Sequence, residues 1–220
     1  MKKVIIFDMD GVILDSEKLY MDLNMEWFKK IGIKITVQEY QKWIGASAKK
    51  FWTYLKEKNS LAESTETYIM QEKELKHQML ANAFLAPMPG IVSLFGLLKQ
   101  NGFTLAIASS GLRKNINLIL SKLAIDEYFD LIVSGEQVVR GKPEPDIFVS
   151  VAEHYQVIPN TCIVVEDSTN GVTAAKAAGM YCIGFYNPNS GNQDLSKADM
   201  VIKTFTDESL IKLITDKMAS

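Results

Sequence analysis

Cysteine is scarce in this 220-residue sequence: Cys162 and Cys182 are the only two, too few for a disulfide framework. Each lies in an apolar run, CIVV and YCIGF, which predicts a buried thiol. Histidine is equally sparse, and His77 and His154 have no partner at ligand spacing, so both are read as structural or solvated residues. Charge of one sign is not in excess. The formal net charge of -2 excludes the electrostatic footprint of a nucleic-acid or anionic-membrane binder. No apolar run approaches the ~20 residues of a membrane span. The opening MKK leads into a short run that reaches Asp8 and Asp10, too short and too charged for a signal peptide. Repeats and low-complexity tracts are absent, and no apolar surplus calls for a second subunit. The expectation is a cytoplasmic monomer with no nucleic-acid or membrane partner.

What is present is an ordinary globular composition, 47% apolar and 23% charged. The length suits one sizeable core plus a small accessory unit. The texture changes twice along the chain. KKVIIFD opens as a buried strand, residues from Asp15 to about Phe84 carry a helical pattern, and strands then alternate with helices to the end. In the middle block Leu19, Leu23, Trp27 and Ile31 recur at near-helical spacing and Gly32 closes that helix. Thr36-x-x-Glu39 predicts a capping box for a second helix ending near Gly45. Phe51, Trp52 and Leu55 mark a third, and Tyr68, Ile69, Leu75, Met79 and Leu80 a fourth. Trp27, Trp43 and Trp52 all fall in this block and are assigned to its core, and Lys73 and Lys76 to its solvated face. Asp15 and Ser16 are read as caps of its first helix.

After Pro87-Met88-Pro89-Gly90 come the strands FTLAIAS, DLIVSG, TCIVVE, YCIGFY and DMVI, separated by helices. Apolar strands spaced in this way argue for a parallel sheet covered on both faces. The fold expected is α/β: a doubly wound parallel sheet (residues 1–14 and 86–220) with an inserted α-helical cap (residues 15–85).

Ligands in such sheets bind outside the carboxyl ends of the strands. Asp8 and Asp10 end the first strand, Ser109 and Ser110 the second, Glu166 and Asp167 the fourth, and Lys142 precedes a helix after the third. Carboxylates ~4 Å apart repel by roughly 4 kcal/mol at an effective dielectric near 20, so this group calls for a cation or for protonation. Oxygen ligands without histidine suit Mg²⁺, which completes its shell with water and substrate phosphate. With Lys142 and the Ser109 hydroxyl they make a receptor for a phosphoryl group; Ser110 is a second hydroxyl there, more readily read as a turn residue. One opening aspartate can attack phosphorus while the other protonates the leaving oxygen and then activates water. Chemistry alone does not order the two.

These segments resemble the haloacid dehalogenase superfamily of phosphotransferases: DxDGxxxDS at Asp8 to Ser16, the serine at Ser109, the lysine of GKPEPDIF at Lys142 and the acidic pair of VVEDSTNG at Glu166-Asp167. The resemblance implies Asp8 as nucleophile, Asp10 as acid/base, Mg²⁺ on Asp8, Asp167 and the Asp10 backbone carbonyl, and Glu166 assisting the metal. Ser109 and Lys142 would hold the phosphoryl group, and a helical cap between the first two motifs is a family feature. The subgroup most similar is that of β-phosphoglucomutase and related sugar-phosphate phosphatases. Where the mutase carries a cap histidine, tryptophan and phosphate-binding arginine, this chain reads Tyr20, Asn24 and Ala48, with Lys49 and Lys50 the nearest substitutes for the arginine. The expectation is therefore a Mg²⁺-dependent sugar-phosphate phosphatase. A phosphosugar mutase is the alternative, and a non-catalytic sugar-phosphate-binding protein the third reading.

Overall fold

The computed structural model describes residues 2–206 and 208–217. The run VIIF forms β1 (Val4–Phe7), and all four side chains are buried. A strand buried on both faces belongs inside a parallel sheet. β2 (Thr104–Ser109) and β4 (Cys162–Glu166) pair with β1 in parallel; β3 (Leu131–Ser134) extends the sheet beyond β2, and β5 (Tyr181–Phe185) and β6 (Met200–Ile202) extend it beyond β4. The order β3-β2-β1-β4-β5-β6 in one six-stranded sheet is the doubly wound α/β architecture that the alternation predicts.

Because side chains alternate along a strand, β1 feeds two cores. Ile5 and Phe7 join a layer containing Phe95 and Leu98, from α5 (Ile91–Gln100), and Ile116 and Ile119, from α6 (Arg113–Leu123). Val4 and Ile6 join the opposite layer with Phe148 and Val151 of α7 (Asp146–Tyr155) and Val172 of α8 (Thr169–Ala177). Helix α9 (Glu208–Lys217) closes the chain against the first layer through Leu210 and Ile214. Cys162 and Cys182 are free and buried. Among the described residues no helix is long and apolar enough to cross a membrane.

Between β1 and α5 lie α1 (Glu17–Lys30), α2 (Val37–Gln41), α3 (Ala48–Asn59) and α4 (Thr65–Asn82). They share an apolar cluster of their own, centred on Phe28, Phe51, Trp52, Leu55 and Tyr68. Trp52 stacks on Tyr68 with ring centroids 5.1 Å apart, while Trp27 and Trp43 are half-buried around it. Helix α4 ties this block to the sheet: Leu80 packs in the main core, and Lys122 donates to the carbonyls of Leu80 (2.8 Å), Ala81 (2.8 Å) and Ala83 (2.6 Å).

Three expectations need correction. Helix α2 stops at Gln41 instead of running to Gly45. Thr36 Oγ1 does accept from the Glu39 amide, but the Glu39 carboxylate turns to Tyr54 and Lys58, so only half of the capping box forms. Ser16 occupies the N-cap of α1 without a side-chain capping bond, because its hydroxyl goes to Asp10; Asp15 instead accepts from the side chains of Asn187 and Asn189. Lys76 is not on a solvated face but is paired with the buried Glu72.

Candidate active site

Phe7 lies opposite Ile107 on one side and Val165 on the other, so Asp8 emerges level with the ends of β2 and β4. Its amide extends the ladder to the Val165 carbonyl at 3.0 Å. Register alone thus gathers Asp8, Ser109, Glu166 and Asp167. Lys142, from the loop between β3 and α7, reaches back into this group. Its ammonium donates to Asp8 Oδ1 at 2.5 Å, Glu166 Oε1 at 2.6 Å and the Ala108 carbonyl at 3.1 Å, with the side chain only 5% exposed. Burial alone would drive the proton off Lys142, but Asp8 and Glu166 outweigh it and raise its pKa, so the ammonium persists.

The carboxylates outnumber that one cation. Burial, offset in part by Lys142 and reinforced by Glu166 and Asp10, pushes Asp8 up to about 7. Burial and then the charges of Glu166 and Asp8 raise Asp167 well above the usual carboxylate range. Ser190 donates to Asp167 Oδ2. Glu166 is fully engaged elsewhere: beyond Lys142, its Oε2 accepts from the Ser168 amide (2.8 Å) and hydroxyl (2.9 Å). It thus anchors the lysine while lying close enough to Asp167 for the two charges to interact.

Two glycines make room for these carboxylates. Gly11 sits at φ +81°, where a β-carbon would be strained and would come within 1.8 Å of Asp167 Oδ2. At Gly171, on the first turn of α8, a β-carbon would fall 1.8 Å from Glu166 Oε1.

Asp10 faces the same space from the loop after β1. Ser16 donates to its Oδ1 at 2.5 Å, and burial, then the charge of Asp10, raises the nearby Tyr20 phenol well above its ordinary value. The Gly111 amide donates to Ser109 Oγ at 3.1 Å, and a β-carbon on Gly111 would lie 3.2 Å from that hydroxyl and 4.0 Å from Asp10 Oδ2. Ser109 is buried, whereas Ser110 is exposed at the turn with its backbone against Gly135.

Among the described residues there is no group of three or more His, Cys, Asp or Glu side chains set to hold a metal ion by themselves. Magnesium does not need one: it binds through one or two carboxylates and keeps water or phosphate for the rest of its shell. Asp8 and Asp167 offer that donor set, and burial first, then the neighbouring carboxylates, raises both above the usual carboxylate range, a cost that a cation relieves. The residues fit a hard divalent cation.

Sequence reasoning missed the residues that hold these groups in place. Ser16 and Ser190 donate to the aspartates, and Asn187 donates to the Gly11 carbonyl at 3.1 Å, pinning the loop that carries Asp10. Only the glycine of EDSTNG left a readable signal, as a residue without a side chain at a helix start beside two acids.

Known proteins are similar to this chain over most of its length. The chain is 32% identical over 178 residues to a phosphorylated carbohydrates phosphatase of Thermotoga maritima, covering 81% of this chain and 82% of that protein. It is 31% identical to the β-phosphoglucomutase of Bacillus subtilis over 94% of this chain and 92% of the other. The crystal structure of CbbY from Rhodobacter sphaeroides with xylulose-(1,5)bisphosphate superposes with a TM-score of 0.83 at 26% identity, covering 94% and 96% of the two chains. The model of the haloacid dehalogenase-like hydrolases matches residues 5–185, and with the relatives above this shows that the chain belongs to that family.

Proposed function

We propose that this protein is a Mg²⁺-dependent phosphatase that hydrolyses a small phosphomonoester, a sugar phosphate, through a phosphorylated Asp8. The observation that carries the reading is the buried Lys142 ammonium shared between Asp8 and Glu166, with Asp10 across the same space. Names of relatives add to it, since the Thermotoga maritima protein is a phosphatase of phosphorylated carbohydrates.

In this reading an Asp8 carboxylate oxygen attacks phosphorus, and the bond from phosphorus to the sugar oxygen breaks. Asp10, held by Ser16, passes a proton to that departing oxygen. Water then attacks the acyl phosphate with Asp10 taking its proton, which frees phosphate and restores Asp8. Lys142 and Ser109 hold the phosphoryl oxygens, and Glu166 fixes Lys142. Asp8, Asp167 and the Asp10 carbonyl would hold Mg²⁺, which supplies positive charge to the transferring group. Residues 15–85 act as a cap over a core of residues 1–14 and 86–220, excluding bulk water when closed.

The test is phosphate release from a panel of sugar phosphates with Mg²⁺, beside Asp8→Asn and a chelator. Loss of turnover in both controls, with a hydroxylamine-sensitive phosphoenzyme in the wild type, supports the reading; turnover that survives Asp8→Asn sinks it. The likeness to the Bacillus subtilis mutase favours one rival. Isomerisation of β-glucose 1-phosphate that outruns phosphate release, with a bisphosphate primer present, would identify a mutase.

A further inference from the structure

The loop after β5 differs from an ordinary surface connection. Residues 187–193 read NPNSGNQ, with no hydrophobic side chain except that of Pro188, yet Asn187 is 4% and Ser190 3% exposed. Polar loops lie in solvent unless their side chains find partners inside. Here four side chains find them on separate stretches of chain. Asn187 donates to the Gly11 carbonyl, and Asn189 Nδ2 donates to Asp15 Oδ2 at 2.6 Å, just before α1. Ser190 Oγ donates to Asp167 Oδ2. Gln193 Oε1 accepts from the Thr169 amide at 3.0 Å, while its Nε2 donates to the Ser190 carbonyl at 2.8 Å and to the Ile44 carbonyl at 3.5 Å.

Ile44 belongs to the helical block, in the turn between α2 and α3. That turn is seated on the loop by further contacts. Asn170, the second residue of α8, donates to the Gly45 carbonyl at 2.8 Å. Gly45 sits at φ +83°, and a β-carbon there would come 3.0 Å from Gln193 Nε2, so glycine lets the turn approach. A β-carbon on Gly191 would lie 3.4 Å from Ile44 Cβ.

These contacts form one chain from the helical block to an acid of the site. The turn bears on Gln193, Gln193 holds the backbone of Ser190, and the Ser190 hydroxyl holds Asp167. A seated turn keeps Gln193 half-buried, and a hydrogen bond shielded from water is stronger than an exposed one. Lifting the turn would therefore loosen the hold on Ser190. Such coupling is reciprocal, so whatever favours one end favours the other.

We infer that Ser190 positions Asp167 for the divalent cation, and that Gln193 ties this position to the seating of the helical block, so that cation binding and closure favour each other. The inference rests on the proposed cation site and adds to it the residues that orient its acid and link it to the cap.

Two measurements test it. Calorimetric titration with Mg²⁺ compares the wild type with Ser190→Ala, Gln193→Ala and Asn170→Ala. Ser190→Ala should raise Kd about tenfold, a typical cost of removing a group that orients a metal ligand. The Gln193 and Asn170 side chains touch no acid, yet their variants should each raise Kd about fivefold, the low end of a coupling between sites. Kd refers to the folded protein, so a loss of stability alone leaves it unmoved. The second measurement reads the other end. In protein carrying 5-fluorotryptophan, Trp43 neighbours Ile44, and its fluorine resonance is identified by its loss in Trp43→Phe. Mg²⁺ should shift that resonance in the wild type, and the shift should be lost in Gln193→Ala.

A Kd within about twofold of wild type in Ser190→Ala overturns the positioning role. Should that variant fail to fold, Ser190→Cys, which keeps the volume and weakens the donor, decides in its place. Unchanged Kd in both Gln193→Ala and Asn170→Ala, or a Trp43 resonance that ignores Mg²⁺, overturns the coupling. A wild type that binds no Mg²⁺ sinks the cation reading and the inference with it, whereas a wild type that binds Mg²⁺ as its variants do sinks the inference alone.

Discussion

Lys142 and Lys76 are both pinned against buried carboxylates, the first at the strand ends and the second in the helical block, and the surroundings of the two differ in charge balance. Lys142 is 5% exposed and shared between Asp8 and Glu166, with Asp167 close by. Three carboxylates face one ammonium, and burial first, then these neighbouring charges, raises Asp8 and Asp167. Lys76 is 27% exposed and has the buried Glu72 as its direct ion-pair partner, which Asn24 and Trp52 also satisfy. The first cluster is electrostatically incomplete and suited to a cation and a phosphoryl group. The second is nearly balanced and suited to tying α1, α3 and α4 together. A buried ion pair is thus not one device: whether it binds or only positions depends on the charge left over.

The comparison breaks most visibly at Lys142. Lys142→Met should cut turnover by at least ~10²–10³-fold, since it removes a preorganised donor to the phosphoryl oxygens; steady-state rates with a substrate identified as above check this. Next comes Gly171→Ala. Its β-carbon needs the space of the Glu166 carboxylate, so Lys142 loses its second anchor, and a displacement near 1 Å costs on the order of 10²-fold in rate. A rate within twofold of wild type would mean that Glu166 does not position the lysine.

On the other side of the comparison, Glu72→Ala should act on stability first. It strands the half-buried Lys76 ammonium and the buried Trp52 and Asn24 donors, at a cost of about 3 kcal/mol, read as a lower urea midpoint for the tryptophan fluorescence of the helical block.

The smallest effect concerns pH. Burial, then the charge of Asp10, raises Glu17 from 4.5 to about 7. The folded protein then binds that proton more tightly than the unfolded chain, so the contribution of Glu17 is fully present below about pH 4.5 and is lost as pH rises toward 7. Glu17→Gln should flatten the fall in stability between pH 5 and pH 8 by roughly 1–2 kcal/mol, allowing for partial solvent screening. Urea unfolding at the two pH values measures it, and identical slopes in both proteins would place Glu17 in solvent.

Much of the site was legible because strand ends are legible. An apolar run that stops at an acid, a serine or an acidic pair places that polar residue at one edge of the sheet, and parallel pairing aligns the edges. Asp8, Ser109, Glu166 and Asp167 follow from this, and Lys142 from its place ahead of α7. The helical block was legible for the same kind of reason, through apolar periodicity. Its failures are instructive. Ser16 looks like a cap by residue type, yet a carboxylate six positions back competes for its hydroxyl and wins. Lys76 looks solvated because helical spacing says nothing about a Glu72 buried one turn earlier.

The sequence by itself therefore determined the α/β alternation, the inserted helices and the ring of acids and lysine at the strand ends, because periodic burial and strand termini are local features of a chain. Only the tertiary structure decided which acid holds Lys142, what orients Asp10 and how the charge of Lys76 is cancelled. Those are hydrogen bonds between residues far apart in sequence, Asn24 with Glu72 or Gly11 with Asn187, whose partners are chosen by packing and desolvation and leave no pattern in the order of residues.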